Sequence, residues 1–181
     1  MNTLNSLTFN NNGGVNTPTV ATGGVLVLNA TNAITSTNDN YATTPTLSGT
    51  LELNGTNRIV ATSGMSPVDL SITAFIQNST GTAGLIKSGS GSLVLASAAS
   101  TFNGGLLLSQ GTLIVGANSA PATIGAVVTA GPLGTGTFTI ADGATVQSGA
   151  AAQAIANPVT VNGSFTFGGV AATNNLSLIH I

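Results

Sequence analysis

Gly91-Ser92-Leu93-Val94-Leu95, followed a short interval later by Gly111-Thr112-Leu113-Ile114-Val115, is the stretch on which the fold turns. In each copy a glycine leads into apolar residues that alternate with polar or small ones. A period of two makes these strands with one buried face, and Ser or Thr points the other way. A helical period fits neither. Outward from this pair the pattern recurs as Gly24-Val25-Leu26-Val27-Leu28, Gly49-Thr50-Leu51-Glu52-Leu53, Gly136-Thr137-Phe138-Thr139-Ile140 and Gly163-Ser164-Phe165-Thr166-Phe167, with a degenerate copy at Leu70-Ser71-Ile72. If Leu26, Leu51, Ile72, Leu93, Leu113, Phe138 and Phe165 are equivalent, the spacings are 25, 21, 21, 20, 25 and 27 residues. One unit recurring at such intervals is the mark of a solenoid, in which each coil buries its apolar face only by stacking on the next.

Between these anchors lie further short strands at residues 57–61, 84–87, 104–108, 144–147 and 158–161, bounded by Gly, Asn and Ser. Each coil then holds two or three strands joined by tight corners, where Gly accepts positive φ and Asn tolerates it. Stacked Asn and Thr side chains can hydrogen-bond from coil to coil. The expected fold is all-β, a right-handed parallel β-helix of roughly seven coils of 20–27 residues over residues 1–175. A β-sandwich also has many short strands, but it does not require one motif to recur at this interval.

Composition agrees. Only 3% of the residues are charged, against about 25% in an ordinary soluble domain. In a parallel solenoid equivalent positions stack about 4.8 Å apart, so a column of like charges would repel itself along the rod. The two basic residues, Arg58 and Lys87, are too few to neutralise a nucleic-acid backbone. Apolar runs are far shorter than a bilayer-spanning helix needs. Residues 1–15 are Asn-rich and uncharged, unlike a secretory signal, so any export signal is expected upstream. The absence of cysteine suits passage through an oxidising periplasm and removes thiol chemistry.

Two stretches break the rhythm. Residues 31–46, with Asn38-Asp39-Asn40 as a turn, and residues 117–130, around Pro121, read as excursions from the coil, where binding usually resides. Residues 149–156 are alanine-rich enough for a single helical turn.

The best-preserved segment, Gly84-Leu85-Ile86-Lys87-Ser88-Gly89-Ser90-Gly91-Ser92-Leu93-Val94-Leu95, continues through Thr101-Phe102-Asn103-Gly104-Gly105 to Gly111-Thr112-Leu113-Ile114-Val115-Gly116. It resembles the autotransporter-associated β-strand repeat, whose pattern is Gly-Leu-x-Lys-x-Gly-x-Gly-x-Leu-x-Leu, an aromatic corner, then Gly-Thr-Leu. Downstream, Pro132-Leu133-Gly134-Thr135-Gly136 and Asn157-Pro158-Val159-Thr160-Val161-Asn162-Gly163 look like motifs that follow this repeat. Ala98-Ala99-Ser100 departs from the usual Asn-Thr approach to the corner. The resemblance implies a passenger of type V secretion, exported to the cell surface through a C-terminal outer-membrane β-barrel that lies outside this chain. Residues 176–181, Leu-Ser-Leu-Ile-His-Ile, look like the translation of a transposase adapter used in sequencing libraries, so a non-native tail beginning near Asn175 is expected there.

Chemistry has little to work with. His180, the only histidine, sits in that tail, which leaves no triad and no histidine metal site. The acids are Asp39, Glu52, Asp69 and Asp142; Glu52 and Asp69, nearly a coil apart, are the one pair for carbohydrate cleavage, which needs carboxyls about 5–9.5 Å apart. The calcium-binding glycine nonapeptide is absent, and Gly89-Ser90-Gly91 and Gly23-Gly24 lack the ending of a phosphate loop. Lys87 and Arg58 are expected to cross the outer surface or cover apolar area with their stems. Phe75, Phe102, Phe138, Phe165 and Phe167 read as core or stacking residues, with Phe102 a candidate glycan contact if its corner is exposed. No catalytic, cofactor or metal residues are assigned. The expected role is a structural or adhesive stalk, with a host or glycan surface as possible ligand. The alternatives are an ice-binding solenoid using Thr135, Thr137 and Thr139, or a polysaccharide-cleaving one using Glu52 and Asp69.

Overall fold

A computed structural model describes residues 1–123, 125–149, 151–169 and 176–178. Eighteen strands and no helix occur among them, numbered here in chain order. The first sheet runs, in spatial order, through β1 (Asn2–Leu4), β3 (Thr19–Leu28), β5 (Thr46–Glu52), β7 (Leu70–Ile72), β10 (Ser92–Leu95), β12 (Thr112–Val115), β14 (Thr145–Ser148) and β17 (Thr166–Gly169), with β8 (Phe75–Gln77) also pairing β5. The second takes β2 (Leu7–Asn11), β4 (Asn32–Asn38), β6 (Arg58–Gly64), β9 (Leu85–Ser88), β11 (Leu106–Leu108), β13 (Phe138–Ala141) and β16 (Val159–Asn162). A small third pair joins β15 (Gln153–Ile155) to β18 (Leu176–Leu178). The named strands all pair in parallel. The chain alternates between the two large sheets and climbs each in sequence order, which makes a parallel β-solenoid of about seven turns.

The core is the slab between the sheets, built from aliphatic ladders. Leu70, Leu93, Leu113 and Val146 stack in one column of the first sheet, and Leu47, Ile72, Leu95 and Val115 in the next. Each of these side chains is 0–1% exposed. A buried aliphatic side chain stabilises by about 1.5–3 kcal/mol, so repeating the column supplies the driving force that no single coil has. Outward positions carry hydroxyls instead, as in the column Ser92, Thr112, Thr145 and Thr166.

The proposed equivalences hold for Leu26 with Leu51 and for Leu93 with Leu113, and need correction elsewhere. Leu51 stacks on Ile76, and Ile72 lies between Leu47 and Leu95. Phe138 belongs to the second sheet, between Leu106 and Val159, while Val146 follows Leu113. Phe165 lies outside a strand, and Phe167 takes the next place above Val146. The cause is symmetry of chemistry: both sheets bury alternate residues against one core, so the motif specifies a strand without specifying its sheet.

Residues 31–46 are only partly an excursion, since Asn32–Asn38 forms β4; the departure is confined to residues 39–45. The described part of residues 117–130 does leave the coil, with one antiparallel bridge between Ala120 and Ala130. The alanine-rich segment holds the strand Gln153–Ile155 in place of a helical turn, because pairing with Leu176–Leu178 satisfies backbone that one isolated turn would leave unpaired. His180 lies outside the described residues.

Candidate functional site

The distinctive chemistry lies at the two corners of the coil. Where the second sheet hands over to the first, the lower coils carry connecting loops at residues 12–18, 39–45 and 65–69. The register Asn11, Asn38, Gly64 places the starts of these loops one above another. Beneath them is a buried amide network. Asn11 Nδ2 donates to Asn38 Oδ1 at 2.7 Å and to Thr43 Oγ1 at 3.0 Å, and Asn38 Nδ2 donates to the Val68 carbonyl at 2.8 Å. Asn40 Nδ2 reaches the Gly14 carbonyl at 2.9 Å, and Asp39 Oδ1 accepts from the Met65 N–H at 3.1 Å. The coil-to-coil asparagine bonding expected from sequence is therefore present and ties each loop to its neighbour. Over this network the tips turn outward, with Val15, Tyr41 and Met65 at 91%, 68% and 70% exposure.

Lys87 and Arg58 do not cross the outer surface; both are buried. Lys87 occupies the inward column between Val60 and Leu108. Its Nζ donates to the carbonyls of Ser88 and Gly89 at 2.8 Å and of Gln110 at 3.0 Å, closing the corner from inside and linking two coils. Arg58 does the same at the opposite corner. Its guanidinium bonds the carbonyls of Leu53, Asn29 and Ala30 at 2.7–3.2 Å. The signal was in the sequence, since Lys87 shares the parity of Leu85 and Arg58 that of Val60. Inward parity was outweighed by the expectation that cations seek water, and corner carbonyls replace that water here.

Burial pushes the Lys87 ammonium down to about 8 from 10.5, against an upward pull from the Asp69 charge. Burial also raises Asp69, opposed by the Ser92 N–H at 2.6 Å on Oδ2 and by Lys87, and reinforced by Asp39. Asp69 Oδ1 has no hydrogen-bond partner. For Glu52 burial acts upward too, but the N–H and hydroxyl of Ser79, the Asn54 N–H and the Gln77 amide together hold its carboxyl below the ordinary value.

Between pH 8 and 10.5 the unfolded chain keeps a proton that folded Lys87 has released, so stability rises with pH across that window. The expected gain is up to about 3 kcal/mol. Chemical denaturation at pH 7.5 and 10.5 measures it, and Lys87→Met should remove the rise. A flat wild-type profile would show that the ammonium is solvated.

Glu52 and Asp69 are not brought together. Ser71 lies opposite Thr46, which sets the two acids at opposite ends of the first sheet, roughly 25 Å apart along the strand. Phe102 is fully buried at its corner and offers no ring to a glycan. Of the threonine row, only Thr139 lies in a strand, and it stacks on Leu107 and Thr160, so no flat Thr-x-Thr ladder forms there. Among the described residues no cluster of His, Cys, Asp or Glu could hold a metal, and no helix is long and apolar enough to cross a membrane.

Parallel stacking with internally capped corners defines the class as a β-solenoid. Within it, residues 85–115 match the family model described as passenger-associated-transport-repeat, the segment that holds Lys87, the Leu93 and Leu113 ladder and Phe102. Neither the curated proteins nor the solved structures gave a match.

Proposed function

We propose that this chain is a non-catalytic stalk segment of an autotransporter passenger, exported to the bacterial surface with a C-terminal outer-membrane β-barrel as its translocator, and that the loop corner of its lower coils is adhesive. The observation that carries the stalk reading is the aliphatic ladder running unbroken through the segment that matches the passenger repeat. A rod held by many identical small contacts transmits load along its axis without a hinge. The adhesive reading rests on the exposed tips of Val15, Tyr41 and Met65 on successive loops, because loops already tied to one another by hydrogen bonds lose less freedom on binding than loose ones. A non-catalytic role is supported by the wide separation of Glu52 and Asp69 and by the occupation of Glu52 in local hydrogen bonds.

The test places the chain between an export signal and an outer-membrane β-barrel in a Gram-negative host. The expected result is a surface segment that resists external protease. Adherence to epithelial cells should fall about tenfold or more in the Val15→Ser, Tyr41→Ser, Met65→Ser triple variant, with protease resistance unchanged. Rapid surface proteolysis would overturn the stalk reading, and undiminished adherence of the variant would overturn the adhesive one.

A further inference from the structure

Four Asn-Gly pairs occur in the chain: Asn12-Gly13, Asn54-Gly55, Asn103-Gly104 and Asn162-Gly163. In such a pair the backbone nitrogen of the glycine can attack the carboxamide carbon of the asparagine, because glycine has no side chain to shield that nitrogen. All four asparagines are exposed, so exposure does not rank them. Hydrogen bonding and backbone freedom do.

Three of the pairs are held. Asn103 Oδ1 accepts from Asn78 Nδ2 and from the Ala83 N–H, both at 3.1 Å, and its Nδ2 donates to the Gly81 carbonyl at 2.9 Å. The Gly104 N–H donates to the Ala83 carbonyl at 2.8 Å, so carboxamide and attacking nitrogen are both occupied. At Asn54 the carboxamide is unbonded, but the Gly55 N–H donates to Asn78 Oδ1 at 2.8 Å. Asn162 closes β16 opposite Ala141, and an extended backbone must rotate far about its Cα–C bond before the next nitrogen faces the side chain. Asn12 differs from all three. It follows the last residue of β2 and lies in no strand, and neither its carboxamide nor the Gly13 N–H takes part in a hydrogen bond. A Cβ built on Gly13 or Gly14 would meet nothing within 4 Å, so no packed neighbour holds this backbone. The loop is next tied down at the Gly14 carbonyl, by Asn40 Nδ2 at 2.9 Å.

We propose that Asn12 is a site of spontaneous deamidation in the folded protein, and that the coil shields Asn54, Asn103 and Asn162 from the same reaction. The Gly13 nitrogen gives its proton to solvent base and bonds to Asn12 Cγ. The bond from Cγ to Nδ2 breaks, and Nδ2 takes a proton from water and leaves as ammonia. Water then opens the cyclic imide at either carbonyl, which leaves aspartate or isoaspartate at residue 12. Water is the only co-reactant, so the step needs neither an enzyme nor an activated donor and proceeds wherever the folded chain resides. The register of Asn11 on Asn38, continued by the Asp39 N–H on the Asn11 carbonyl at 3.1 Å, sets residue 12 level with Asp39. Conversion therefore places a carboxylate against a like charge on the next coil, at the loop that Asp39 ties to Met65.

The experiment holds the folded protein at neutral pH and constant temperature and follows each asparagine by peptide mapping in a mass spectrometer, with a denatured sample in parallel. In the folded protein Asn12 should lose its amide about tenfold faster than Asn54 or Asn103, the factor that one hydrogen bond of ordinary strength is worth. Asn162 should also lag behind Asn12, while in the denatured chain the four pairs should react at similar rates. Asn78→Ala, which frees the Gly55 N–H, should speed Asn54 and leave Asn12 unchanged. Asn54, Asn103 or Asn162 keeping pace with Asn12 in the folded state would overturn the proposal, as would an Asn54 rate indifferent to Asn78→Ala. The effect on the corner is read separately: the Met65 amide should exchange its hydrogen about two- to fivefold faster in Asn12→Asp than in Asn12→Gln. Equal exchange in the two variants would overturn the coupling to Asp39.

Discussion

Replacing Phe102 with alanine should lower the unfolding free energy by about 3–5 kcal/mol, visible as a matching fall in denaturant midpoint. The ring is fully buried at the corner between β10 and β11. Its edge lies under Gly134 on the next coil, where an added Cβ would stand 2.7–2.8 Å from Cδ2 and Cε2. The Phe102 carbonyl also accepts the Thr135 N–H at 2.9 Å, so ring and backbone together set the spacing of two coils. Removing the ring leaves a cavity that close-packed backbone on the neighbouring coil cannot fill by rotating. A loss below about 1 kcal/mol would mean that the corner collapses freely and that the aromatic of the repeat is not a spacer.

Gly105→Ala is expected to be as damaging, at roughly 2–5 kcal/mol. Gly105 has φ of 74°, and a Cβ there would run into the Thr137 carbonyl oxygen of the coil above. That oxygen accepts the Leu106 N–H at 3.0 Å, so the clash falls on the pairing between coils. Gly143 separates the two causes, because its φ is also 74° and nothing lies within 4 Å of an added Cβ. Gly143→Ala should therefore cost only the conformational part, about 1–2 kcal/mol. Equal losses at the two positions would show that close approach of coils contributes nothing at Gly105.

The strands of residues 85–115 were legible because each carries its own alternation and each corner its own glycine. Leu93 over Leu113 followed directly, since one regular coil separates them. Phe138 was misplaced because the excursion at residues 117–130 intervenes and the next strand then joins the other sheet. The burial of the two cations is hidden in the sequence for a different reason. Parity pointed Lys87 and Arg58 inward, but the local carbonyls of Ser88, Gly89 and Leu53 are completed by others from a neighbouring coil, Gln110 for one and Asn29 and Ala30 for the other.

By itself the sequence determined that alternate residues would be buried, that glycine and asparagine would turn the corners, and that charge would be scarce, because each follows from local geometry repeated along the chain. Only the tertiary structure decided which strands share a column, which polar groups meet inside the corners and which asparagines remain free at the surface. Those outcomes depend on how one coil registers on the next: Asn78 falls one place short of Asn54 in register, and its carboxamide Oδ1 accepts the Gly55 N–H of the neighbouring coil at 2.8 Å while that of Asn54 stays unbonded.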